Sequence, residues 1–241
     1  MKNLKLCLFA LSTTFLFASC ALLRHHHAYQ SIFNGVNLNG WNGDAVYWRV
    51  ESGIIVGEVT PATLLKRNTF LIWRGGAPAD FDLKLEYRIS AKGNSGVNYR
   101  SAEIDTLRFA LKGYQADLDG KDKYNLGYPR YSGQNYEERG RQFLALRGQK
   151  TLLTTNNNKP KLIDSIGNTL DLVKSIRPDD WNKLHIVAKG NRLQHYINGV
   201  LMSEVIDDDT ANRKMSGLLG VQVHVGPPMK VEYRNILLRT L

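Results

Sequence analysis

Residues 113–120, GYQADLDG, place Gln115, Asp117 and Asp119 at every second position, with Tyr114, Ala116 and Leu118 between them. In a strand successive side chains leave on opposite faces, so the three polar groups share one face and the apolar three the other. Three further stretches alternate in the same way. In FDLKLEYRIS (81–90) the apolar set at 83, 85, 87 and 89 leaves Glu86 and Arg88 on the outer face. In NSGVNYR (94–100) Val97 and Tyr99 point inward, Asn98 and Arg100 outward. In GVQVHV (220–225) Val221, Val223 and Val225 point inward, Gln222 and His224 outward. The expectation is one polar surface holding Glu86, Arg88, Asn98, Arg100, Gln115, Asp117, Gln222 and His224. Guanidinium, amide and imidazole groups are directional partners for hydroxyls and carbonyls. Several converging hydrogen bonds, each contributing about 0.5–1.5 kcal/mol, are enough to select a sugar. A solvated strand also presents a polar outer face by default, so each residue taken singly is more often solvated than catalytic.

Two further sets carry chemistry. The YEERGR stretch (136–141) supplies Glu137, Glu138, Arg139 and Arg141, either closing over a ligand or forming local ion pairs in a loop. Asp117, Asp119 and Glu86 are hard oxygen ligands suited to calcium or magnesium, although no calcium-loop or zinc spacing occurs. Glycan-stacking platforms could come from Trp41, Trp73, Tyr124, Tyr128 or Tyr136. EIDTLR (103–108) comes close to a retaining-glucanase Glu-x-Asp-x-x-Glu motif, but Arg108 stands where the second carboxyl belongs. A guanidinium cannot serve as the acid, so ordinary retaining hydrolysis through this stretch is disfavoured.

The elements that position these residues are short strands. Beyond those above, YWRVESGIIVGE (47–58) reads as two apolar stretches about a Ser-Gly turn. The stretch 183–207 reads as strand, Gly-Asn turn, strand, Asn-Gly turn, strand, and 230–241 supplies a last strand. Many short strands without helical periodicity indicate an all-β antiparallel sandwich or jelly roll. The segment 120–182 is less regular and reads as long loops, with a helical turn near Glu137 and a short helix or strand in TLDLVKSIRPDDW.

Residues 1–19 have Lys2 and Lys5, an apolar run and small residues before Cys20, the layout of a secretory signal. Ala-Ser-Cys fits a lipoprotein cleavage box, making Cys20 a lipidated N-terminus; an ordinary signal peptide with a chance cysteine is the alternative. Residues 20–30, with three consecutive histidines, read as a solvated tether to one domain over 31–241. The expected location is the periplasm or cell surface, held by the lipid on Cys20. Loss of Cys7 with the leader leaves no disulfide partner. The net charge of +10 is spread along the chain without a basic run, which argues against nucleic acid.

SIFNGVNLNGW, NSGVNYR, GYQADLDG, NYEERGRQFLALRGQ and GVQVHVGPPMKVEYRNI follow in order across residues 30–241. Together they resemble the 3-keto-disaccharide hydrolase domain family. The resemblance implies a concanavalin-like jelly roll with a sugar site on a concave sheet, acting on oxidised glycosides. In a sugar carrying a ketone at carbon 3, the proton on carbon 2 is acidified, and its removal expels the glycosidic oxygen. On that reading His224 is the expected base, since imidazole titrates near neutrality, with Asp117 as rival. Arg100 and Arg88 would hold the enolate, and Glu86 would orient an arginine or bind a divalent ion. Asn98, Gln115, Gln222, Glu138 and Arg139 would bind the sugar. A lectin-like binding lipoprotein and a structural envelope protein are the competing readings.

Overall fold

A computed structural model describes residues 28–155 and 157–241. Its elements in chain order are β1 (Gln30–Ser31), β2 (Trp41–Asn42), β3 (Trp48–Glu51), β4 (Ile54–Val59), β5 (Thr69–Trp73), β6 (Phe81–Ile89), β7 (Asn94–Ile104), β8 (Leu107–Asp119), β9 (Asn135–Glu138), β10 (Gln142–Ala145), β11 (Gln149–Thr154), β12 (Asn157–Ser165), α1 (Thr169–Val173), β13 (Asn182–Lys189), β14 (Arg192–Ile197), β15 (Val200–Asp208), β16 (Leu218–Val223) and β17 (Met229–Thr240).

The strands form a two-sheet sandwich. One sheet runs β12-β11-β15-β14-β13-β6-β17-β4-β3, with β1 added to β17; the other runs β10-β9-β8-β7-β16-β5-β2. Pairing is antiparallel except between β11 and β15. The turns follow from residue chemistry: Ser52 and Gly53 both have positive φ (47° and 79°), as do Asn198 and Gly199 (51° and 83°). That combination matches the right-handed twist of the hairpins they close.

The inner faces are the apolar sets of the alternating stretches: Leu83, Leu85 and Tyr87 of β6, Val97 and Tyr99 of β7, Tyr114, Ala116 and Leu118 of β8, Val221 and Val223 of β16. Burying each leucine or valine among them contributes about 1.5–3 kcal/mol. Val225 was expected inward, but β16 ends at Val223 and Val225 is exposed. A polar pin crosses the core. His195 meets the Tyr99 hydroxyl at 2.9 Å and the Gln134 carbonyl at 3.1 Å, and burial pushes its pKa down to about 4. It is therefore a neutral structural imidazole near pH 7.

Residues 120–182 hold more structure than their sequence pattern suggests. Glu137 lies in β9 rather than a helical turn, because β9 is fixed by pairing with β8 and not by an apolar stripe. Of the short helix or strand expected in 169–181, the helix is present as α1, capped by the Asn168 side chain on the Leu170 N–H. The leader, Cys20 and most of the tether, including its three histidines, lie outside the described residues.

Candidate functional site

The outer face of the seven-stranded sheet carries a hollow of about 770 Å³, within the size range of small-ligand pockets. Gln115 and Asp117 from β8 and Glu138 from β9 line it from the sheet. They reach it because alternation sends Tyr114, Ala116 and Glu137 to the opposite face. Tyr124, Tyr131, Tyr136 and Phe143 form an aromatic wall, with neighbouring rings 5.0–5.5 Å apart. Lys66, Arg67, Lys123 and Arg139 bring cations to it, and His224 lies just past the end of β16.

A chain of hydrogen bonds ties the sheet residues together. Gln115 Nε2 donates to Asp117 Oδ1 at 2.7 Å, and Gln222 Nε2 donates to Gln115 Oε1 at 3.1 Å. Gln222 Nε2 also approaches Glu138 Oε2 at 3.5 Å, while Asn68 Nδ2 donates to Glu138 Oε1 at 3.3 Å. Asn68 Oδ1 in turn accepts the Val225 N–H at 3.0 Å, which fixes the turn beside His224.

Burial sets the charge states. It pushes the Asp117 carboxyl well above the ordinary range, and the negative charges of Asp119 and Glu138 act the same way; only the Gln115 bond opposes. Burial also raises Glu138, against the pull of Asn68, Arg139 and Gln222. Both carboxyls are thus biased toward their protonated forms. His224 is lowered by burial and by the nearby Lys123 charge, with its bond to the Val225 carbonyl opposing. That bond joins His224 Nδ1 to the Val225 oxygen at 2.5 Å. A carbonyl can only accept, so Nδ1 carries the hydrogen and Nε2 keeps a free lone pair. Burial lowers Lys123 as well, with Asp119 opposing.

Among the residues singled out from the sequence, Asp117, Gln115, Glu138, Arg139 and His224 line the hollow, and Gln222 links them from beneath. Asn98 shares this face but is fully buried below it, with Oδ1 unpartnered and Nδ2 at 3.5 Å from Ser101 Oγ.

Three do not join them. Arg100 has φ of 46° at an irregularity in the β7–β8 register, which breaks the alternation that assigned it outward. Its side chain is 1% exposed and donates to the carbonyls of Ala79, Gly190 and Lys214 and to Asp80. It is a structural post. Glu86 and Arg88 lie on the other sheet. Glu86 accepts from Arg234 at 2.7 Å, and Arg88 pairs with Glu232 at 2.7 Å. Alternation tells inside from outside, but a sandwich has two outer faces and β6 belongs to the other one.

The oxygen set expected for a divalent ion does not converge. Glu86 is on the far sheet, and Asp119 turns into its own loop to accept the N–H groups of Arg130, Tyr131 and Ser132. Among the described residues no group of three or more His, Cys, Asp or Glu is arranged to hold a metal. The YEERGR stretch divides: Glu138 and Arg139 face the hollow, whereas Glu137 and Arg141 form a buried ion pair continued to Asp207. That pair anchors the turn. Glu103 of EIDTLR is held by Arg74, away from the hollow. Of the aromatic candidates, Tyr124 and Tyr136 line the hollow, while Trp41, Trp73 and Tyr128 pack on the core. Sequence reasoning missed Asn68, Lys66, Arg67, Lys123, Tyr131 and Phe143. All except Phe143, on β10, lie outside strands, where no periodicity marks a facing direction; Tyr131 could have been found only as an aromatic between turn residues.

The sequence profile of the 3-keto-alpha-glucoside-1,2-lyase-like domain family matches residues 28–239. No curated protein matches in sequence. Among solved structures, a candidate glycosyl hydrolase from Parabacteroides distasonis superposes with a TM-score of 0.57 at 16% identity, covering 89% of this chain and all of that one. The carbohydrate-binding module CBM66 from Bacillus subtilis gives 0.52 at 16%, covering 83% and 96%. A Bacillus subtilis protein of unknown function with a galectin-like fold gives 0.52 at 12%, covering 84% and 90%. At such identities the likeness speaks to the sandwich fold alone.

Proposed function

Because the chain belongs to the 3-keto-alpha-glucoside-1,2-lyase-like domain family, which places it among carbohydrate-active domains, we propose that it cleaves glycosides whose sugar bears a ketone at carbon 3. In this reading His224 Nε2 takes the proton from carbon 2. The electron pair forms the C1–C2 double bond through an enolate, and the bond from carbon 1 to the glycosidic oxygen breaks. Lys123 and Arg139 stabilise the negative charge on the enolate oxygen. Asp117, protonated and backed by Gln115, gives its proton to the leaving oxygen; Glu138 is the alternate donor. Water added across the double bond completes a net hydrolysis. The aromatic wall of Tyr124, Tyr136 and Phe143 would carry the sugar ring.

One observation carries the reading: a half-buried imidazole with Nδ1 committed to a carbonyl faces the same hollow as two carboxyls held toward neutrality. A lowered imidazole beside raised carboxyls favours a free base and protonated acids in one site, the states that general base and acid need. A location at the cell envelope is part of the proposal and rests on the sequence of the leader. The test is incubation of the purified protein with a 3-keto-glucoside and its unoxidised counterpart, with and without chelator. Cleavage confined to the keto compound supports the enzyme; binding without turnover replaces it with a lectin-like role.

A further inference from the structure

The hollow does not end at its own rim. Lys66 and Arg67 also wall a second hollow of about 300 Å³, and that one shares Arg108 and Phe109 with a third of about 340 Å³. The three hollows adjoin one another through these shared walls. Arg67 Nη2 reaches the Arg108 carbonyl at 3.5 Å, joining the loop before β5 to the start of β8. Arg108 lies over the Phe109 ring at 4.5 Å, and Phe109 is held at φ of 57°.

The second hollow, an annex to the main one, carries an excess of cations. Lys66, Arg67 and Arg108 form no ion pair among the described residues, and Asp44 is the one acid lining the second hollow; in the third, Glu103 is already held by Arg74, with Asp105 beside it. The five arginines on strands of the ten-stranded sheet behave differently: Arg49, Arg88, Arg192, Arg234 and Arg239 are each paired with a carboxylate. Unpaired cations beside the ring of Phe109 and the side chains of Tyr47 and Leu65 suit a sugar ring bearing a negative group.

We propose that the annex is a subsite for an anionic saccharide unit, one carrying a carboxylate or sulfate, attached to the ring held in the main hollow. This rests on the reading of the main hollow as a glycoside site. The protein would then act on acidic glycosides rather than on neutral disaccharides alone.

Calorimetric titration of the whole protein tests it with three unoxidised probes that the proposed reaction cannot consume: an α-linked glucose disaccharide, its terminal uronate and its sulfate ester. At about 50 mM salt at least one anionic probe should bind about tenfold or more tightly than the neutral one. The preference should shrink as salt rises to about 500 mM. Comparing the uronate with the sulfate identifies which group the annex takes. In Arg67→Gln/Arg108→Gln the ratio should fall to about one, whereas Arg67→Lys/Arg108→Lys should keep most of it. Equal binding of neutral and anionic probes, or a preference that survives the double glutamine variant, overturns this inference and leaves the main-site reading standing. Failure of every probe to bind overturns this inference alone, since the main-site reading is decided by cleavage of the keto compound.

Discussion

Gln222 on β16 reaches Gln115 on β8 at 3.1 Å across the intervening strand, over Gly96 of β7. A Cβ at Gly96 would stand 2.4 Å from Gln115 Cδ. The missing side chain on the middle strand is what lets the two amides meet.

Gly96→Ala should therefore push Gln115 away from Asp117 while leaving the sandwich folded, since the clash falls on the end of the Gln115 side chain and not on backbone. Expected is a cooperative thermal transition with kcat/KM lowered about tenfold or more, an effect of the size set by about 1.4 kcal/mol of lost transition-state binding. Unchanged turnover would separate the amide chain from catalysis.

His224→Gln should lower kcat by about 100-fold to 10,000-fold, the usual worth of a general base. The base must be neutral to act, and burial puts its folded pKa below 6.5. The acid limb of kcat/KM should accordingly have its midpoint below pH 6.5 and disappear in the variant. A limb centred above pH 6.5 would point to another base.

Asp117→Asn should stabilise the fold at neutral pH. The folded carboxyl has a raised pKa, so between the unfolded value near 3.8 and that raised value the native state holds more protons than the unfolded one. Stability from this group is present below the unfolded pKa and declines as pH rises toward the folded one. Melting curves should show the variant above wild type at pH 7.5, with the gap closing toward pH 4. Turnover should fall at the same time if Asp117 donates the proton.

Arg100→Ala should cost about 3–5 kcal/mol in denaturant unfolding, because three carbonyls and Asp80 lose their buried partner. KM of the protein that remains folded should not change. Glu86→Gln and Arg88→Gln, on the opposite sheet, should alter kcat/KM less than about twofold and stability by no more than about 1 kcal/mol.

Phe143→Ala and Tyr136→Ala should each weaken saccharide binding by about tenfold with kcat retained, since an aromatic wall binds ring and transition state alike. A drop in kcat at constant KM would assign these rings to the chemical step.

The strand faces were legible in the sequence because period-two alternation is a strong signal wherever one face is buried. It correctly sent Gln115, Asp117, Gln222 and His224 outward and Tyr99, Tyr114 and Val221 inward. It failed at Arg100, where one residue of positive φ reverses the facing direction, and at Glu86 and Arg88, where the facing was right and the sheet was not. Sheet membership depends on long-range pairing, which local pattern does not encode. Asn68 and Lys123 were illegible for a different reason: they sit in connections whose course is fixed by distant anchors, such as Asp119 holding the N–H groups of residues 130–132.

The bond between Gln115 and Gln222 spans 107 positions of chain, and the strands that carry it are joined only when β16 docks against β7. The β8–β9–β10 meander can place Gln115, Asp117, Glu138 and the aromatic wall by itself, but Gln222, His224 and residues 66–68 join them only through pairings distant in the chain. Loop-closure entropy makes such distant pairings late events. A saccharide added during refolding should leave the folding rate untouched and slow only unfolding, so that the ligand acts as a lock on the finished molecule and never as its template.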